Sequence, residues 1–84
     1  MNITSAIEGR EVCDELRRDL RKIRYNPDLL KMFRNIEKMV TDISRLEVEC
    51  RRSTHRFILD QPLAELNKAV HHLKNLILMA KLME

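Results

Sequence analysis

Glycine and proline are nearly missing from this chain, with one glycine and two prolines in 84 residues. So few turn formers, among many charges and leucines, fit long helices or coiled coils. Tryptophan is absent and aromatics make up 4% of the chain, which weakens any nucleic-acid reading based on base stacking. Only two cysteines occur, Cys13 and Cys50, too few for a disulfide framework and without metal-ligand spacing. Residues 1–10 lack a basic stretch followed by an apolar core, so no secretory signal is expected, and the sequon Asn2-Ile3-Thr4 is read as chance. No apolar run approaches the roughly 20 residues needed to span a bilayer. A soluble, reduced, intracellular protein of the cytoplasm or nucleus is expected. There is no Gly-rich phosphate loop, triad pattern, paired carboxylates or nucleotide fingerprint. Active sites concentrate on loops, and this chain has almost none. The expectation is a non-enzyme with no cofactor and no small-molecule substrate.

What is present is 44% hydrophobic and 35% charged residues, with a mild net charge of +3 from 16 basic and 13 acidic side chains. That profile is far from disorder. The length bounds the chain to a single helical domain, 1–84. Chains this short have marginal cores, and many gain stability by oligomerising.

The fold class read from the pattern is all-α, with three helices at about 5–25, 27–58 and 61–83. Ser5 and Glu8 form a capping box at the start of the first. Ala6, Gly9, Cys13, Leu16, Leu20 and Ile23 make its apolar stripe, widened by Val12. Gly9 costs roughly 1 kcal/mol against alanine inside a helix, so the first turns are expected to fray. Asn26-Pro27-Asp28 is the first break, with Asn26 as N-cap and Pro27 at the first helical position. The second helix carries the longest seam: Leu29, Met32, Ile36, Met39, Ile43, Leu46 and Cys50, continued by Ser53 and Phe57. Phe33 and Val40 widen it, as expected for a helix touching two neighbours. Asp60 or Gln61 is expected to cap the third helix, whose stripe is Leu63, Leu66, Val70, Leu73, Ile77 and Ala80. Its end, Leu76 to Ala80, is apolar all round, which expects burial on every side.

A hairpin about Asn26 pairs Ile23 with Leu29, Leu20 with Met32, Leu16 with Ile36 and Cys13 with Met39. Residues from about Glu49 to Leu59 then overhang the first helix by ~15 Å. Folding back about Asp60 places Leu63 near Phe57, Val70 near Cys50, Leu73 near Leu46 and Ile77 near Ile43. This gives an up-down-up bundle, completed by oligomerisation or a partner. The alternative is one long helix from the second and third, kinked at Pro62.

The expected interface is Phe57, Leu59, Leu76, Ile77, Leu78, Met79, Leu82 and Met83. The partner is a second copy or another helical protein, and the function a small coiled-coil-like structural subunit. The alternative is a nucleic-acid-associated module using two basic runs. These are Arg17, Arg18, Arg21, Lys22 and Arg24, then Arg51, Arg52 and Arg56 with His55 beside them. A solvated helix end complementing its dipole is the simpler account of such runs. His71 and His72 point about 100° apart on a helix and make a poor metal pair. Buried free thiols are the expectation for Cys13 and Cys50; a self-facing thiol pair in a parallel dimer is the sharper one.

Overall fold

The computed structural model describes residues 2–51 and 56–84. Within them the chain forms three α-helices and no strand: α1 (Ala6–Arg21), α2 (Pro27–Cys50) and α3 (Asp60–Leu82). A 3-10 turn, Arg56–Leu59, leads into α3. α2 runs antiparallel to α1, as Arg17 bonds Glu37 and Arg10 bonds Ser44. α3 returns parallel to α1, with Asn67 on Ile3 and Lys74 beside Glu15. The bundle measures 49 × 18 × 15 Å. Its radius of gyration is 14.0 Å, against about 12 Å for a compact domain of this length, so its two ends are a large share of the surface.

Local chemistry starts the helices much as expected. Asn26 Oδ1 accepts from the amides of Asp28 (3.0 Å) and Leu29 (3.2 Å), and Pro27 opens α2. Ser5 Oγ accepts from the Glu8 amide at 3.2 Å. The capping box is not reciprocal, however. Glu8 turns to the hydroxyl of Thr4 (2.6 Å) and its amide (3.4 Å), and the orphan amide of Ala6 donates to Glu47 of α2 at 3.2 Å. α3 has no side-chain cap: it grows directly out of the 3-10 turn from Leu59, and Asp60 contributes only a charge at the positive end.

The core is built from the predicted seams. Leu16, Ile36, Ile43, Leu66 and Leu73 are the largest fully buried side chains. Ile23, Leu29 and Cys50 are buried, while Leu20, Met32, Met39 and Leu46 pack at its edge. The widening residues Val12, Phe33 and Val40 are buried too, because α2 is covered on two sides. Ile3, ahead of α1, is also buried. Asn67 holds it there, its Oδ1 accepting from the Ile3 amide (2.7 Å) and its Nδ2 donating to the Ile3 carbonyl (2.9 Å).

Four expectations are corrected. α1 stops at Arg21 and α2 at Cys50, short of 25 and 58. Of the residues expected to overhang, those described do not: Cys50 and Leu59 turn into the core, and Phe57 leaves the seam for the 3-10 turn. Ser53 lies outside the described residues. The long kinked helix is not formed, since Pro62 sits in the first turn of α3, where its missing N–H is tolerated. Reversal wins because it buries the α3 stripe within one chain. Finally, α3 is displaced along α2: Pro62 and Glu65 border a crevice with Met39, Ile43 and Leu46 rather than facing Phe57. The reversal consumes residues before Asp60, so α3 starts further along α2 and its last turn reaches the α1–α2 connection.

Gly9 is not a weak point. A Cβ there would stand 2.9 Å from Val40 Cγ2 and 3.5 Å from Leu66 Cδ2. The glycine lets the three helices approach where all of them meet.

Candidate interaction surface

The helical register of α3 divides its faces. Leu66, Val70, Leu73 and Ile77 are buried on one side. At 100° per residue, Leu78, Met79 and Leu82 fall on the opposite side. Upstream, that outer face carries Lys68, His71, His72 and Asn75, all polar and exposed. It turns apolar at Leu78. Leu78, Met79, Leu82 and Met83 are 56%, 57%, 79% and 87% exposed. Tyr25, 80% exposed, stands at the same end. There Met83 and Glu84 border a wide crevice with Lys22, Arg24, Tyr25 and Asn26, and Glu84 Oε1 accepts from the Arg24 amide at 2.7 Å.

The opposite end also exposes apolar side chains, scattered over α1, α2 and the 3-10 turn. Ile7, Val48, Phe57 and Ile58 are all exposed, and Ile7 and Leu59 border a crevice with Glu47, Cys50 and Arg51.

The expected interface residues therefore divide. Leu59 and Ile77 belong to the single-chain core, and Leu76 packs half-buried against it, because α3 folds back on α2 and consumes them. Phe57, Leu78, Met79, Leu82 and Met83 reach solvent. Phe57 is at the other end of the molecule from the rest. The all-round burial expected for Leu76 to Ala80 is not met within the chain, since Leu78 and Met79 stay outside.

The basic runs do not form one patch. Arg17, Arg18, Arg21, Lys22 and Arg24 lie at the α1–α2 connection, and Arg51 and Arg56 lie at the α2–α3 end. Arg52 and His55 fall outside the described residues. Arg17 is tied to Glu37 at 2.6 Å and Asp14 at 3.3 Å, and stands 5.5 Å over the Phe33 ring. Such exposed pairs contribute on the order of 0–1 kcal/mol each.

Cys13 and Cys50 are buried. Burial pushes the Cys13 thiol up from 9.0 to about 11, with Glu37 adding to the rise and Arg17 opposing it. A thiol held protonated inside the core is neither a nucleophile nor placed to face a second chain. His71 and His72 are exposed, and His71 Nε2 lies 3.4 Å from Asn75 Nδ2. Among the described residues no group of three or more His, Cys, Asp or Glu side chains is arranged to hold a metal. No helix among them is long and apolar enough to cross a membrane.

Sequence reasoning passed over Asn67, whose only sign was a polar residue bordering the α3 stripe. It also passed over Ile7, Tyr25 and Val48, apolar residues off the stripes. No protein-family model, curated protein or solved structure matches this chain.

Proposed function

We propose that the protein is a non-enzymatic interaction module, a small helical subunit that associates with a second copy or another helical protein through the end of α3. The observation that carries this reading is the outward apolar cluster Leu78, Met79, Leu82 and Met83, opposite the core stripe of the same helix. Exposed contiguous apolar surface on a small domain is a mark of association, and methionines suit an adaptable contact. The test is molar mass by light scattering over a range of concentrations. A mass above 10.0 kDa is expected, and Leu78→Glu or Leu82→Glu lowers it. A monodisperse monomer that binds no apolar dye and captures no helical partner sinks the reading.

The nucleic-acid alternative has less support, since its two basic runs stand at opposite ends of a 49 Å molecule. Titration with duplex DNA and RNA at low salt separates the two. Binding that collapses with added salt, and that Arg17, Arg18 and Arg21 reversed to glutamate abolish, would favour it.

A further inference from the structure

A second crevice adjoins the one at the exposed end of α3, with Arg24, Tyr25 and Asn26 lining both. The end of α1 and the start of α2 leave between them a cavity of about 330 Å³, open to solvent on its outer side. That is near the lower limit of ligand pockets, roughly 300–1,000 Å³. It is lined by α1, the connecting turn and α2, with no residue of α3. Leu20, Ile23, Leu30 and Phe33 form its floor. Ile23 and Phe33 are core residues showing one edge to the crevice. Leu30 is half-buried yet stands outside the core cluster. The crevice is what Leu30 faces.

One wall is cationic. Arg17 and Arg21 share a side of α1 at four-residue spacing, and Arg24 follows from the connection just past the helix end. Arg17 is held by Glu37 and Asp14, so its charge is answered. Among the described residues no carboxylate lies within ion-pair distance of the Arg21 or Arg24 guanidinium. An apolar floor beside two unanswered arginines is complementary to a molecule with an aliphatic tail and an anionic head. A guanidinium binds carboxylate and phosphate heads alike through paired N–H donors.

We propose that this crevice binds a medium-chain acyl anion, with its tail on Leu30 and Phe33 and its head on Arg21 and Arg24. This site shares the Arg24–Asn26 turn with the association end but has its own floor in α1 and α2, and it stands whether or not the chain self-associates.

The test is an NMR titration of the full chain with decanoate, kept below its micelle-forming concentration. Decyl phosphate, decyltrimethylammonium and acetate are run in parallel. Saturable binding of decanoate is expected, with shifts at Leu20, Leu30 and Phe33. Acetate and decyltrimethylammonium are expected at least tenfold weaker. Decyl phosphate bound much more tightly than decanoate overturns the carboxylate head. Arg21→Ala with Arg24→Ala should weaken binding about tenfold or more, as expected for lost charge-assisted contacts. Leu30→Trp should fill the crevice and abolish binding; an unchanged helical melting curve shows that the fold is kept. Equal affinity for the cationic amphiphile overturns the proposal. So do shifts confined to Leu78–Met83, unsaturable binding, or binding to anionic vesicles without binding of monomeric decanoate.

Discussion

Gly9 illustrates how a residue's local cost and its tertiary role have opposite signs. In an isolated helix, alanine at this position gains about 1 kcal/mol over glycine. In the bundle, the added methyl meets two γ carbons of Val40 at 2.9 and 3.3 Å. Val40 is buried and β-branched, so it has essentially one rotamer in a helix and cannot swing aside. Gly9→Ala is therefore expected to destabilise by about 1–3 kcal/mol in urea unfolding. Gly9→Ala with Val40→Ala should then cost less than the two single changes added together. Cys13 gives a second test at this scale. Its folded-state pKa, about 11, lies above the ordinary 9.0. The folded chain therefore keeps a proton that the unfolded chain has released. That stabilisation is complete below pH 9.0 and is lost as pH rises toward about 11. The urea midpoint of the parent chain should fall more steeply over this window than that of Cys13→Ala. Parallel curves would refute the buried-thiol account.

At the scale of elements, the helices are made locally and aligned by a few long-range polar contacts. Asn26 and Pro27 start α2 without help from elsewhere. α1 depends on its neighbours: its Ala6 amide is satisfied by Glu47, and the segment before it is clamped by Asn67. Asn67→Ala removes two bonds to the Ile3 backbone and leaves buried polar groups to find water. A loss of about 1–3 kcal/mol is expected. Hydrogen exchange should speed selectively at the Ile3 amide, and unchanged protection there would contradict the clamp. α3 is the element with two roles. Its stripe from Leu66 to Ile77 belongs to the core, and its last turns do not. The apolar stretch Leu76 to Met83 showed in sequence that something had to cover it. Periodicity alone did not reveal that Ile77 is covered by the chain itself and Leu78 is not.

At the scale of the whole molecule, the division between core and outer surface sets the size of mutational effects. Leu73→Ala opens a cavity at a fully buried site and should cost about 2–5 kcal/mol. Leu82→Glu, at a side chain 79% exposed, should change the stability of the monomer by less than about 0.5 kcal/mol while altering the association state. Equal losses in thermal melts would contradict the assignment of Leu82 to the outer surface. The sequence by itself determined the all-α class, the three helices, the N-terminal signals of α1 and α2 and nearly all of the α2 seam. Each of these depends on spacing or on residues within one turn, such as Asn26 with Leu29. Only the tertiary structure decided where α2 stops, how far α3 slides along it, and which apolar residues remain outside. An apolar stripe running from Cys50 to Phe57 without proline or glycine carries no mark of where the chain reverses. The reversal is chosen by the fit of the helices, through Gly9 against Val40 and Leu66 and through Leu59 turning inward. That choice consumes Leu59 and Ile77 and leaves Leu78 to Met83 on the surface, because a stripe on one helix face can be covered by only so many neighbours.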